Sequence, residues 1–249
     1  MMSEIIAGLS SISVKGSAAS EVYRGMKMKE YKIELVRGYI LVNDDRGSKL
    51  LIDTGSPLSF HADGVICLGG ETFGVPASLV EVDSGYVTDN VGTRIDGLVG
   101  MDILGREGLL VDIPKGRVVL GCPTDGMKRV PSRQTFGYVF VDMDIRGRRT
   151  TVILDTGAPV SYVSGSLTEG LEVADTVEDF NPSVPGGTFE TPVYDFPATF
   201  AGETFAMRAG QLPHLMQALT CFGVDGVVGM ELLKRHPFLI ADGGVWIGQ

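Results

Sequence analysis

Two aspartates of this chain, Asp53 and Asp155, stand in the same local setting, and a carboxyl group can accept or donate a proton in catalysis. The first lies in LLIDTGSP (residues 50–57) and the second in VILDTGAP (residues 152–159). In each copy an apolar strand delivers the carboxylate to a buried place, and the glycine lets the backbone turn sharply behind it. An aspartate that caps a turn would explain either copy alone, but it does not explain the pair.

The segments around the two aspartates belong to a longer internal repeat. The aspartates lie 102 residues apart (155 − 53) in a chain of 249 residues. Each follows an alternating strand–turn–strand pattern and precedes DGLVGMDIL (96–104) or DGVVGMELL (225–233). A tandem duplication is therefore predicted, with one lobe over residues 1–125 and the other over residues 126–249. The polar stretch 122–135 is predicted to be the linker.

The two copies differ in length at one place. From the aspartate to the glycine of the later Asp-Gly pair there are 44 residues in the first copy (97 − 53) and 71 in the second (226 − 155). The added residues fall around 169–199 and contain NPSVPGGTFET (181–191), where a Gly-Gly pair separates two candidate strands. We expect a long hairpin there, in the second half of the chain.

The composition of the chain favours one fold class. With 34 glycines and 12 prolines, few stretches suit a long helix, and short strands at short spacing are favoured. An all-β protein is therefore predicted. The net charge of −10 argues against nucleic acid and anionic membranes as partners, because both bind through basic patches.

Metal and cofactor sites are not indicated by the cysteines and histidines. These residues are scattered without metal-ligand spacing: Cys67, Cys122, Cys221, His61, His214 and His236. We expect no metal, no cofactor, and cysteines in a reducing compartment. The chain does not start with a basic segment and a long apolar core, and no apolar run approaches the roughly 20 residues of a membrane span. A cytoplasmic location is the expectation.

The doubled motifs resemble those of the aspartic proteases, both the two-lobed pepsin-like kind and the retropepsin-like kind. In that family each half contributes an Asp-Thr-Gly loop, which a later apolar-apolar-Gly segment supports. Here the supporting segments would be LVG (98–100) and VVG (227–229). The resemblance implies a bilobal fold, with two retropepsin-like β-barrel lobes on one chain and the active site in the cleft between them.

The resemblance also implies that Asp53 and Asp155 form a catalytic dyad. Two carboxylates held close together cannot both ionise, so they share one proton and titrate as a unit. One carboxylate activates a water, and the other donates a proton toward the peptide carbonyl oxygen. The implied activity is that of a monomeric aspartic endopeptidase, which acts on a peptide or protein substrate and needs no cofactor.

The residues next to the aspartates have supporting roles in that family. By resemblance, Thr54 and Thr156 would hydrogen-bond across the interface between the lobes. Gly55 and Gly157 would let backbone amides approach the carboxylates.

The next position differs between the copies, with Ser56 in one and Ala158 in the other. A serine hydroxyl can donate to its carboxylate and favour the ionised form, whereas alanine cannot, so the two sites are expected to be unequal. A pH optimum above that of the strongly acid proteases is the corresponding expectation.

The family covers its cleft with one or two flaps, and pepsin-like members carry theirs in the first half. Here the spacing places the only candidate flap, residues 180–194, in the second half. Its candidate substrate-binding residues are Pro185, Gly186, Gly187 and Thr188. A bound peptide would lie between the lobes as an extended strand, hydrogen-bonded to this hairpin. Tyr194 is expected to pack in the core instead of facing the cleft.

Two other functions were weighed from the sequence. A non-catalytic relative could keep the fold to bind peptides, since a fold alone does not fix function. Intact Asp and Thr in both copies speak against it. A phosphate-binding loop of a kinase or ATPase would need alternating strands and helices and a Gly-rich Lys-Ser/Thr loop, and the sequence shows neither.

Overall fold

A computed structural model gives the structure of residues 28–80, 82–106, 108–181, 187–211 and 223–248. Within these ranges the chain forms 23 strands and four short helices. The prediction of an all-β fold is confirmed. The strands are β1 (Lys29–Lys32), β2 (Glu34–Val36), β3 (Tyr39–Asn43), β4 (Lys49–Ile52), β5 (Phe60–His61), β6 (Val65–Leu68), β7 (Glu71–Gly74), β8 (Ser78–Leu79), β9 (Val82–Asp83), β10 (Gly97–Val99), β11 (Leu109–Asp112), β12 (Arg117–Leu120), β13 (Lys128–Val130), β14 (Ser132–Thr135), β15 (Tyr138–Ile145), β16 (Arg148–Leu154), β17 (Ser161–Val163), β18 (Asp175–Phe180), β19 (Thr188–Phe200), β20 (Glu203–Gly210), β21 (Gly226–Val228), β22 (Phe238–Ala241) and β23 (Gly244–Ile247). The helices are α1 (Ser84–Val91), α2 (Met101–Leu104), α3 (Gly165–Thr168) and α4 (Met230–Leu233).

The same three-strand unit occurs in both halves. In the first half the antiparallel pair β3–β4 is joined by β10, which runs parallel to β4 and places Leu98 opposite Leu51. In the second half β15–β16 is joined by β21, which runs parallel to β16 and places Val227 opposite Ile153. The strands flanking each aspartate therefore form the predicted hairpins, and the later apolar segments lie beside them.

One sheet contains strands from both halves. Its order is β1-β12-β11-β22-β23-β13, and β11 pairs with β22 so that Leu110 lies opposite Leu239. The prediction that 122–135 is a linker throughout is wrong, because β13 and β14 lie within it. Lys128 pairs with Ile247 and Val130 is buried, so this stretch completes the edge of the shared sheet. The lobe boundary at residues 125 and 126 stays a prediction.

The long hairpin expected in the second half is β18–β19. It lies at the end of an eight-stranded sheet of order β14-β15-β16-β21-β17-β20-β19-β18. Its pairs run from Asp175 opposite Val193 to Phe180 opposite Thr188. Pro185 and Gly186, two of the candidate substrate-binding residues, lie outside the described residues.

The largest apolar core extends through both halves and includes the inward residues of the two central hairpins. Tyr194 packs against this core, as expected. A second cluster belongs to the first half and includes Tyr39, Phe60 and Leu98. In the part of the chain that the structure describes, no helix is long and apolar enough to cross a membrane.

Candidate active site

Asp53 and Asp155 meet between the two halves, where the carboxyl of each lies against the glycine of the other aspartate loop. Each follows the end of a central strand, β4 or β16. The Asp53 N–H donates to the Val99 carbonyl at 3.0 Å, and the Asp155 N–H donates to the Val228 carbonyl at 3.0 Å. The parallel strand pairs thus deliver both carboxyls to one place, where each residue is only partly buried.

Thr54 and Thr156 tie the two aspartate loops together through four hydrogen bonds. The Thr54 N–H donates to Thr156 Oγ1 at 2.9 Å, and the Thr156 hydroxyl donates to the Ile52 carbonyl at 2.7 Å. In the reciprocal pair, the Thr156 N–H donates to Thr54 Oγ1 at 3.0 Å and the Thr54 hydroxyl donates to the Leu154 carbonyl at 2.9 Å. Each hydroxyl accepts one bond and donates one. Both threonines are fully buried, so these bonds are shielded from water.

Gly55 and Gly157 let each half approach the carboxyl of the other. The Gly55 N–H donates to Asp53 Oδ1 at 2.9 Å, and the Gly157 N–H donates to Asp155 Oδ1 at 2.7 Å. A Cβ atom on Gly55 would overlap the carboxyl of Asp155, and one on Gly157 would lie 2.5 Å from Asp53 Oδ1. Any larger residue at either position would push the two carboxyls apart.

The expected hydrogen bond from the Ser56 hydroxyl to Asp53 is wrong. A hydroxyl has one hydrogen, and that of Ser56 donates to the Leu58 carbonyl at 2.7 Å, because the turn brings this carbonyl within reach. The Ser56 backbone N–H donates to Asp53 Oδ1 instead, at 3.1 Å. The side-chain difference between Ser56 and Ala158 therefore does not act on the carboxyls through a hydroxyl bond.

The two carboxyls nevertheless differ in proton affinity. Burial raises the pKa of Asp53, whereas the hydrogen bonds from Asp155 and from the backbone of Gly55 and Ser56 act to lower it. Burial, and then the charge of Asp53, raise the pKa of Asp155 well above its usual range. Two such groups in contact hold one proton between them over a range of pH.

A pair of serines supports the glycines that follow the late apolar strands, and the sequence reasoning missed both. Ser59 Oγ accepts the Gly100 N–H at 2.8 Å, and Ser161 Oγ accepts the Gly229 N–H at 3.2 Å. The signal was available, because each serine stands at the same offset from its aspartate (59 − 53 and 161 − 155).

Tyrosines beside the dyad were also missed. Tyr39 and Tyr138 begin equivalent strands, β3 and β15. Burial raises the pKa of both phenols, and the charges of Asp53 and Asp155 raise it further, which places both phenols near the dyad. The repeated YILV and YVFV segments carried this signal.

The hairpin β18–β19 reaches across to the first half. Phe180 packs against the first-half cluster, with its ring centroid 5.9 Å from that of Tyr39 and 6.0 Å from that of Tyr86 on α1. Gly187 has φ +80°, and a Cβ atom there would lie 2.5 Å from the Tyr86 hydroxyl oxygen. Of the described candidate substrate-binding residues, Gly187 thus faces the first half, whereas Thr188 is exposed on β19.

Metal ligation finds no support in the described ranges, where no group of three or more His, Cys, Asp or Glu side chains could hold an ion. The groups that the structure brings together at the site are two carboxyls and the backbone amides that donate to them.

Comparison with known proteins gives distant structural likenesses. No family model matches the chain, and no curated protein matches it. A solved retropepsin-like aspartic protease from Rickettsia conorii is similar with a TM-score of 0.33 and 14% identity, over 47% of this chain and 86% of that one. A solved aspartic proteinase from Irpex lacteus is similar with a TM-score of 0.49 and 13% identity, over 90% of this chain and 97% of that one. At these values function has to be inferred from the geometry of this chain.

Proposed function

We propose that this protein is an aspartic endopeptidase that hydrolyses peptide bonds with a water held between Asp53 and Asp155. The observation that carries the proposal is the meeting of these carboxyls, which come from equivalent strand ends of the two halves and each lie against the glycine of the other aspartate loop. Their unequal proton affinity supplies one base and one acid at the same place. Because one chain supplies both groups, the active form is a monomer that needs no cofactor.

In the proposed reaction Asp53 is ionised and Asp155 is protonated. Asp53 accepts a proton from the water as its oxygen bonds to the peptide carbonyl carbon, and Asp155 donates its proton to the carbonyl oxygen. Asp53 then passes its proton to the amide nitrogen as the carbon–nitrogen bond breaks. One hydroxyl of the tetrahedral intermediate returns a proton to Asp155, which restores the starting state and leaves a carboxylic acid and an amine.

The surroundings of the dyad suit this reaction. The threonine bonds fix the two loops relative to each other, and the backbone amides of Gly55 and Gly157 hold one oxygen of each carboxyl. Catalytic groups held in this way lose little orientational freedom in the transition state. The substrate is an extended peptide that lies between the dyad and the hairpin β18–β19.

The test is cleavage of a mixed peptide library from about pH 3 to about pH 8, a range that spans the ordinary carboxyl pKa and neutral pH. Wild-type protein should cut internal peptide bonds, while Asp155→Asn purified in the same way serves as the blank for contaminating proteases. The specific rate should not change when the enzyme is diluted. Tight binding of library peptides without cleavage by the wild type would contradict the proposal and indicate a non-catalytic peptide-binding protein.

A further inference from the structure

A third carboxyl, that of Asp179, lies on the hairpin where the second half meets the first. The hydroxyl of Tyr162 on β17, in the second half, donates to Asp179 Oδ2. Asp179 Oδ1 accepts the Phe180 N–H at 2.8 Å. Burial, and then the charge of Asp179, raise the pKa of the Tyr39 phenol on β3, in the first half. Asp179 therefore bonds the hairpin to the second half, and the Phe180 residue beside it faces the first.

Two packing contacts of the same hairpin lie on the first half. Phe180, the next residue, packs against the apolar cluster that contains Tyr39, and its ring also contacts Tyr86. Gly187, across the hairpin, lies so close to the Tyr86 hydroxyl that no Cβ atom would fit between them. These contacts place the hairpin against the first half at the end of β18 and just before the start of β19.

The position of β18 makes these contacts important for the hairpin. Among the described strands, β18 is the last of its sheet and pairs with β19 alone. The free edge of β18 makes no backbone hydrogen bonds to another strand of the sheet. Side-chain contacts therefore decide whether β18 stays packed against the first half. Tyr39 connects this hairpin to the first half, because its ring contacts that of Phe180.

We propose that Asp179 is a positioning residue for hydrolysis, which holds the hairpin closed over the dyad: its carboxyl accepts the hydrogen bond from Tyr162 and so keeps the neighbouring Phe180 packed on Tyr39. This role rests on the proposed function. The bonds must break to admit a peptide and re-form to exclude water from the bound substrate. The strength of this clasp, which consists of the Tyr162–Asp179 bond and the Phe180–Tyr39 contact, thus sets the fraction of enzyme–substrate complex that is closed.

The first measurement is amide hydrogen exchange of the free protein. Asp179→Ala removes the bond from Tyr162, while Asp179→Asn keeps one acceptor oxygen in place. Asp175→Asn is the matched control, because Asp175 is exposed on the same strand and accepts only from the neighbouring Thr176 N–H in the described structure. We expect exchange in β18 and β19 to accelerate by about tenfold or more in the alanine variant, less in Asp179→Asn, and not in the control. Unchanged hairpin exchange in Asp179→Ala would overturn the clasp.

A double-mutant cycle tests whether Asp179 acts through the tyrosine. Tyr162→Phe alone should accelerate hairpin exchange, but it should add little in the Asp179→Ala background, because the bond is already absent. Full additivity of the two substitutions would overturn the clasp as well.

Peptide cleavage by the same variants tests the positioning role. Asp179→Ala should lower kcat by about tenfold with a smaller change in KM, because the opened complex admits peptide but closes less often. Faster hairpin exchange with an unchanged kcat would reduce Asp179 to a structural residue and overturn the role. If the wild type cuts no peptide while the exchange results hold, hydrolysis and the role in it both fall, and the clasp itself stands.

Discussion

Asp53 and Asp155 are chemically identical side chains at equivalent places, yet the protein makes them unequal. Burial raises the pKa of both, and the charge of Asp53 then makes Asp155 the better proton holder. Asp53 accepts the backbone N–H groups of Gly55 and Ser56, whereas Asp155 accepts that of Gly157, so the donors favour ionisation of Asp53 first. The repulsion between the two carboxylates is mutual, and it holds the remaining proton on the pair once the first carboxyl has ionised.

A pH–rate profile tests this inequality. Catalysis needs Asp53 ionised, and its raised pKa moves the acid limb of the profile up from the ordinary Asp value of about 3.9. Catalysis also needs the proton on Asp155, and its strongly raised pKa moves the basic limb up further. We therefore expect the maximum of kcat/KM above about pH 4. A maximum at or below about pH 3 would contradict the account, as it requires one strongly depressed carboxyl pKa.

Much of the site could be predicted at the residue scale, because its members stand in a doubled motif. The geometry brings together the predicted pair Asp53 and Asp155, and it places Thr54 and Thr156 in mutual contact. The direction of the Ser56 hydroxyl could not be predicted, since it depends on where the turn places the Leu58 carbonyl. Ser59 could have been found from its equal offset in the two copies.

At the scale of elements, the aspartate loops are held by the threonine bonds and by the strands beside them. Each loop is short, and its position relative to the other is set by buried hydrogen bonds between threonine side chains and backbone. Loss of one hydroxyl leaves two buried backbone groups without partners, and such groups are costly because no water reaches them.

Thr54→Val tests the contribution of these bonds. Valine has nearly the shape of threonine, but it cannot accept from the Thr156 N–H or donate to the Leu154 carbonyl. We expect the free energy of unfolding to fall by about 2–4 kcal/mol in urea titrations, from two unsatisfied buried groups. Thr54→Ser, which keeps the hydroxyl, is the matched control and should lose less. A valine variant as stable as the wild type would show that the bonds do not hold the loops.

The elements themselves were predictable where the alternation of apolar residues was clear. The hairpins around the aspartates and the long hairpin of the second half appear where the pattern places them. Strands β13 and β14 could not be predicted from their polar sequence, because pairing with β23 and β15 makes them strands. The docking of Phe180 on the first half was equally hidden, since its partners lie outside the repeat.

At the scale of the whole molecule, the two halves repeat the same strands and aspartate loops around the dyad, but they differ in the hairpin β18–β19. The Gly38 turn packs against Pro159, and the Gly137 turn packs against Pro57, so each half covers the aspartate loop of the other. The shared sheet joins the halves through β11 and β22. The hairpin β18–β19 breaks the symmetry, because it belongs to the second half and closes on the first.

The central claim is that Asp53 and Asp155 form one catalytic unit, and kcat/KM for peptide cleavage by three variants tests it most directly. Asp53→Asn, Asp155→Asn and the double variant are compared with wild type and with Asp125→Asn, which changes an exposed loop aspartate. Each single substitution should lower the rate by at least about 100-fold with folding intact, and the double variant should be little worse than either single one. Asp125→Asn should cut like the wild type. Full activity in either single dyad variant would show that the two aspartates do not act as a pair.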